Sequence, residues 1–403
     1  MDAPASASMM RAYKTNPHPT MHYFLSAGEA SGDLHASALI AAIRALDHEA
    51  RFTFLGGDLM AGAAGTGPLI HYRRMAFMGF SEVLRHLPQV LANLRTARDA
   101  IARERPSCLI LVDYPSFNLK LAARARSLGI PVYWYIAPKV WAWKEYRVKD
   151  IRRLVRRVLS ILPFETDFFR RHGIDASYVG NPSLEEIDAR LVQRPSADEI
   201  RRAAGITGDR PLLALVPGSR RGEIRNNLPV MQSVAALHPE LQPIVAGAPG
   251  IDRDFYAQYT SYPVVEDLTF RLMAAAEAAL VTSGTATLEC ALASTPQVVC
   301  YRANGSRLSY WLMSRVIHTR YVSLPNLIAD APVIPEMLLH HCNTAEVEAC
   351  LADILPGVPG RRRQLDGYAE IRRRLGTNRA ASTAAAEIVS DLKNLSGQTP
   401  SES

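Results

Sequence analysis

Five apolar residues, Leu212 to Val216, run directly into Pro217-Gly218-Ser219-Arg220-Arg221, and helix-compatible sequence resumes at Glu223. So short and continuous an apolar run reads as a parallel strand buried on both faces. The turn after it is small and basic and stands just before a helix start. Such a turn suits an anion: backbone N–H groups and the helix dipole face the charge, Gly permits close approach, and Arg offers a planar fork. A second turn of this kind, Thr282-Ser-Gly-Thr-Ala-Thr-Leu-Glu289, follows the run Ala278 to Val281. Two anion-adapted turns in one half-chain point to a nucleotide diphosphate, and neither carries the G-x-x-x-x-G-K-[ST] pattern of a Walker loop.

The same alternation recurs along the chain. In the first half, apolar runs near Phe24-Leu25, Phe52 to Leu55, Cys108 to Val112, Val132 to Ile136 and Val158 to Leu162 are followed by polar turns and mostly helical segments. In the second half the runs are Leu212 to Val216, Pro243 to Ala246, Val264-Val265, Ala278 to Val281 and Val298 to Tyr301. The pattern predicts an α/β chain of two Rossmann-like, doubly wound parallel-sheet domains facing across a cleft. Their expected spans are 21–182 and 212–360, joined by a charged helical connector, 183–211, and followed by helices over 361–395. Residues 1–20 read as a disordered leader and 396–403 as a frayed tail.

At 48% hydrophobic and 21% charged, the 403 residues have ordinary globular composition. No apolar run approaches the roughly 18 residues of a membrane-spanning helix. The five cysteines are odd in number and scattered, which fits a reducing cytoplasm and neither a disulfide framework nor a zinc site. A net charge of +7 asks for an anionic partner. No nucleic-acid-binding motif accompanies it, so an anionic membrane surface or a phosphorylated substrate fits.

Candidate site residues gather at strand ends. Gly28, Glu29, Ser31, Gly32 and Asp33 follow the first strand, where open α/β sheets bind ligands, although Gly28 and Gly32 do not make G-x-G-x-x-G. The plainer reading is a helix start with Ser31 or Asp33 as its cap. Asp113 ends the central strand and is placed to act as a general base; it could instead cap the next helix. Trp141 and Trp143, beside Lys139 and Lys144, frame a sugar or acyl site or pack a loop. Met75, Phe77, Met78, Phe80, Val83, Leu84, Leu87, Val90, Leu91 and Leu94 form an apolar stripe. Periodicity favours a core helix, and the alternative is a basic-rimmed surface for membrane or an acyl chain. Asp252-Arg-Asp254 reads as solvated loop, and His340-His341-Cys342 as a solvent-facing helix end with no metal.

Taken in order, several of these segments resemble the lipid A disaccharide synthase family, glycosyltransferases of the GT-B type. They are Ala27-Gly-Glu-Ala-Ser-Gly-Asp33, Met78-Gly-Phe-Ser-Glu-Val-Leu84, Asp113-Tyr-Pro-Ser-Phe-Asn118, Pro138-Lys-Val-Trp-Ala-Trp143 and Leu162-Pro-Phe-Glu165. Pro217-Gly-Ser-Arg220, Ser283-Gly-Thr-Ala-Thr-Leu-Glu289 and Tyr321-Val-Ser-Leu-Pro-Asn-Leu327 complete the set, which spans 21–378. In the third segment the family often has Ala for Tyr114 and a second Asp for Ser116, which leaves Asp113 as the surviving carboxylate. The resemblance implies inverting transfer of 2,3-diacylglucosamine from its UDP derivative to 2,3-diacylglucosamine 1-phosphate, giving a β-1,6-linked disaccharide 1-phosphate and UDP. It implies Asp113 as base, with Gly218, Ser219, Arg220, Ser283, Gly284, Thr285, Glu289 and Asn326 on the donor side. Glu289 would take the ribose diol, and Gly28, Glu29, Ser31, Gly32 and Asp33 the acceptor side. No metal or other cofactor is expected. The resemblance turns the stripe from Met75 to Leu87 into a docking face, on a peripheral protein at the cytoplasmic side of the inner membrane. A homodimer with exchanged C-terminal segments is the implied assembly.

Overall fold

The computed structural model describes residues 20–75, 86–143, 145–302 and 320–397. The amino-terminal sheet has seven parallel strands: β1 His22–Ala27, β2 Arg51–Gly56, β3 Ile70–His71, β4 Cys108–Val112, β5 Val132–Tyr135, β6 Arg157–Ser160 and β7 Ala176–Tyr178. Their order across the sheet is β3-β2-β1-β4-β5-β6-β7. The carboxy-terminal sheet has six: β8 Leu212–Val216, β9 Gln242–Gly247, β10 Val264–Glu266, β11 Ala278–Thr282, β12 Gln297–Tyr301 and β13 Glu336–Leu338, ordered β10-β9-β8-β11-β12-β13. These too pair in parallel.

Helices cover both faces of each sheet, and this is why the central strands are apolar without alternation. In β4, Leu109 and Leu111 pack into one core while Cys108, Ile110 and Val112 pack into the core on the opposite face. Strand β8 divides in the same way, Leu212, Ala214 and Val216 against Leu213 and Leu215. Three edge strands, β3, β7 and β13, were not legible in the sequence. At two or three residues they are too short to leave a run.

Domain membership departs from the linear expectation at two places. The connector folds as helices Pro182–Leu191 and Ala197–Ala204, whose Leu184, Ile187 and Ile200 belong to a carboxy-terminal core. The last helix, Ala380–Gly397, returns to the amino-terminal domain and buries Ala384, Ala385, Ile388, Val389 and Leu392 against Tyr23, Leu39 and Ile43. Asp391 there pairs with Arg156 and accepts a hydrogen bond from Tyr133 Oη at 2.6 Å. The chain therefore crosses between domains twice. The crossings are tied together: Tyr178 Oη donates to the Leu375 carbonyl at 2.7 Å, and the Ala380 N–H donates to Glu185 at 2.7 Å.

Candidate active site

In each sheet the connections reverse direction between two central strands, β1 and β4 in the first and β8 and β11 in the second. Loops leaving such adjacent strands diverge to opposite faces and open a crevice at their carboxyl ends, where ligands of this architecture bind. Glu29 follows β1 and Asp113 follows β4; Gly218 to Arg220 follow β8 and Ser283 to Thr285 follow β11. The two crevices face each other. One cavity of about 500 Å³ is lined by Glu29, Asp113, Tyr114, Lys139 and Arg147 from the first domain and by Arg220 from the second. An adjoining cavity of about 490 Å³ is lined by Lys139, Gly218, Ser219, Arg220, Ser283, Gly284 and Thr285.

The amino-terminal wall carries backbone strain. Asp113 and Tyr114 have φ of 44° and 49°, and Ile136, ending the neighbouring strand's run, has φ of 59°. Non-glycine residues reach this left-handed region at a cost and hold it only where surroundings enforce it, most often at functional sites. Asn118 enforces it here. Its buried amide donates to the Asp113 carbonyl at 2.7 Å and to the Val112 carbonyl at 3.3 Å, while its oxygen accepts from Ser26 Oγ at 2.7 Å. Asp113 lines the cavity and is exposed to it, while the protein packed around its carboxyl partly desolvates it. Burial lifts its carboxyl above the ordinary range, the Tyr114 N–H and Lys139 pulling it partly back. Glu29 is also raised, by burial and then by Asp113, with Arg220 opposing. Behind them the fully buried Glu165 accepts from Ser160 Oγ at 2.6 Å and from Trp141 Nε1 at 2.9 Å. Burial pushes this carboxyl up to about 7 against those two hydrogen bonds. Trp141 thus packs the loop that presents Lys139.

The carboxy-terminal wall is built to a similar plan with other groups. Asn227, also buried, donates to Thr282 Oγ1 at 2.9 Å and to the Pro217 carbonyl at 3.4 Å, and accepts from the Arg302 N–H at 2.7 Å. It joins the turns after β8 and β11. Gly218 sits at φ 117°, where a side chain would be strained and its Cβ would come 2.5 Å from Glu223 Oε2. That carboxylate already accepts the N–H groups of Ser219 and Arg220, at 2.9 and 3.3 Å. The turn expected to cradle a diphosphate with its backbone therefore holds an internal anion instead. What faces the cavity is the Arg220 guanidinium, which also lies 3.5 Å from Glu223, the start of helix Thr285–Leu292, whose cap residue Gly284 contributes no side-chain hydrogen bond, and Lys139 from the first domain. Glu289, on that helix, lines a groove with Pro249, Thr269 and Arg190; Pro249 and Thr269 also border the Arg220 cavity. Burial raises its carboxyl and Arg190 opposes.

Several expected site residues do other things. Of the five placed on the acceptor side, Glu29 lines the cavity. Gly28 is closed off by Tyr114, whose ring would meet a Cβ at 2.4 Å, and Gly32 packs on Ala27. Asp33 caps no helix of its own: Glu29 is the cap residue of helix Ala30–Leu46, and Asp33 accepts the N–H groups of Gly57, Leu59 and Met60. Ser31 is exposed and lines neither cavity. Asn326 lies outside both as well; its amide is engaged by the Ile334 backbone and Glu336 at 2.9 Å each. Met75 is 1% exposed, a core residue whose carbonyl accepts Tyr114 Oη at 2.9 Å, and so cannot belong to a docking face. Phe77, Met78, Phe80, Val83 and Leu84 lie outside the described residues. Leu87 and Leu91 are exposed, and Arg95, Arg98 and Arg124 line a groove with Leu91. Cys342 is buried and not solvent-facing, whereas Asp252 is solvated as expected, near Arg221 at 3.7 Å. Asn118, Asn227, Arg147 and Glu165 acquire roles only through tertiary contacts; Asn118 and Glu165 close two of the family-like segments, whereas no spacing in the sequence marks Asn227 or Arg147.

Comparisons with known proteins identify the family and the fold. A family model described as lipid-A-disaccharide synthetase matches residues 23–388. Lipid-A-disaccharide synthase of Myxococcus xanthus is 41% identical over 373 residues, covering 90% of this chain and 95% of that protein. The enzyme of that name from Anaeromyxobacter sp. is 35% identical over 391 residues, covering 94% and 99%. Among solved structures, a UDP-GlcNAc 2-epimerase from Neisseria meningitidis bound to UDP-GlcNAc superposes with a TM-score of 0.56 at 12% identity, covering 93% of this chain and 100% of the other. That likeness supports the two-domain GT-B-type fold. The chain is a member of the lipid-A-disaccharide synthase family.

Proposed function

We propose that the two walls divide the family's reaction between them, the amino-terminal one activating the acceptor and the carboxy-terminal one receiving the leaving group. The reaction is glycosyl transfer that forms the lipid A disaccharide 1-phosphate. The 6-hydroxyl oxygen of 2,3-diacylglucosamine 1-phosphate attacks the anomeric carbon of UDP-2,3-diacylglucosamine. The bond from that carbon to the diphosphate breaks, the configuration inverts, and UDP leaves. The hydroxyl proton passes to Asp113, a carboxyl that burial makes more basic than an ordinary one. Charge developing on the diphosphate is met by Arg220, Lys139 and the N–H groups opening helix Thr285–Leu292. Glu289 takes the ribose farther along the same groove. One observation carries this reading: Asp113 and Arg220, from different domains, line a single cavity.

Both substrates carry acyl chains, so the protein must work at a membrane surface. Among the described residues no helix is long and apolar enough to cross one. Exposed Leu87 and Leu91 beside Arg95, Arg98 and Arg124 supply apolar contact and positive charge for anionic headgroups. A homodimer exchanging helix Ala380–Gly397 would reuse the contacts this helix makes here.

The test is incubation of the purified protein with UDP-2,3-diacylglucosamine and 2,3-diacylglucosamine 1-phosphate in mixed micelles, following UDP and disaccharide together. Equimolar UDP and disaccharide are expected. UDP without disaccharide, or turnover of UDP-GlcNAc to its 2-epimer, would reject the reading.

A further inference from the structure

The acceptor-side cavity holds a cation that the donor-side cavity does not share. Lys139 and Arg220 line both, whereas Arg147 lines the first only. Its guanidinium donates to Ser116 Oγ at 3.0 Å and lies 5.9 Å from the centre of the Tyr146 ring. Both partners are neutral, so neither contact compensates its charge. Among the described side chains, then, the guanidinium is held by one N–H and keeps the rest of its planar fork for an anion, and a phosphate fits that fork.

We propose that Arg147 binds the phosphate of the acceptor, a glycosyl 1-phosphate, and so turns the sugar's 6-hydroxyl toward Asp113. The assignment rests on reading this cavity as the acceptor site of glycosyl transfer. Ser116 stands three residues after Asp113, on the turn that opens helix Pro115–Ser127, so carboxylate and guanidinium flank the same turn. In a hexopyranose the carbon bearing the 6-hydroxymethyl group and the anomeric carbon flank the ring oxygen, so one ring can address both groups. The two substrates then place their anions separately. The donor diphosphate goes to Arg220 and the 283–285 helix start, and the acceptor phosphate to Arg147, so neither substrate occupies the other's site. The position of the phosphate would also set which hydroxyl meets the base, making Arg147 a determinant of linkage as well as of affinity.

Arg147→Gln keeps a donor for Ser116 and removes the charge; Arg147→Lys keeps the charge and removes the fork. Binding is read by quenching of tryptophan fluorescence, and turnover by disaccharide formation. Each is measured with diacylglucosamine 1-phosphate and with the same lipid lacking its phosphate, in mixed micelles. R147Q is expected to raise Kd and KM for the phosphorylated acceptor roughly tenfold or more, with R147K intermediate. Donor KM and binding of the unphosphorylated lipid should hold within about twofold. Equal loss on both lipids, or no loss on either, overturns the assignment. If the wild type prefers the phosphorylated lipid and R147Q abolishes that preference, but no disaccharide forms, glycosyl transfer falls and the Arg147 assignment stands. If disaccharide forms and R147Q keeps the preference, the assignment falls and glycosyl transfer stands.

Discussion

At the amino-terminal switch point a buried asparagine, Asn118, joins Ser26 at the end of β1 to Val112 and Asp113 at the end of β4. At the carboxy-terminal one a second buried asparagine, Asn227, joins Pro217 after β8 to Thr282 at the end of β11. The bracing is alike and the groups it presents are opposite. The first wall holds two carboxylates, Asp113 on strained backbone at φ 44° and a half-buried Glu29 on extended backbone. The second holds Arg220, hydroxyls and a helix start, with glycine where the backbone turns left-handed. A doubly wound sheet supplies a rigid crevice and leaves its chemistry to a few turn residues. Desolvating a carboxylate makes it more basic, whereas a cation and a helix start attract an anion, so the proposed division gives one fold, used twice, the tasks of base and anion receiver.

The largest expected effect breaks the division at its first wall. Asp113→Asn should lower kcat about 10²–10⁴-fold while UDP affinity measured by calorimetry stays unchanged. If UDP binding fell together with kcat, the walls would not have separate roles. Arg220→Ala should lower kcat roughly 10²–10³-fold and weaken UDP binding as well. Full UDP affinity in that variant would move the diphosphate elsewhere. Lys139 stands between the walls and sharpens the contrast through pH. It pulls the Asp113 carboxyl down, so Lys139→Met should raise that pKa and move the acidic limb of kcat/KM to higher pH, because the base must be unprotonated. An unmoved limb would mean that another group titrates in the profile. The smallest effect concerns Glu165. Its carboxyl rises from 4.5 to about 7 on folding, chiefly through burial, so between those values the unfolded chain binds fewer protons. Stability therefore falls as pH rises through that window. Glu165→Gln removes the titrating group, and the variant's Tm relative to wild type should climb between about pH 5 and pH 8. A pH-independent difference would show that the carboxyl does not titrate there.

Much of this was legible from residue order because the signals are local. The runs Cys108–Val112 and Leu212–Val216 are strands with those bounds, since only a strand buried on both faces is apolar at every position. Asp113, Arg220 and Thr285 could be singled out because strand ends fix where a crevice opens. Other features depended on distance in the chain. Gly28 looked like a ligand-facing glycine and proved to be the seat of the Tyr114 ring, 86 residues on. Asp33 looked like a site carboxylate and instead caps the helix beginning at Asp58. Asn326 matched a family segment, yet the structure turns its amide toward Ile334 and Glu336.

By itself, then, the order of residues determined the two sheets, their central strands and the turns that carry charge, because hydrophobic period and turn chemistry are read within a few neighbours. Tertiary structure alone decided which of those turns meet. It set Asp113 opposite Arg220, filled the Gly218 turn with the Glu223 carboxylate, brought Arg147 to Ser116, and returned the last helix to the first domain. The reason is that each of these outcomes rests on desolvation and contact between segments, which no local pattern records.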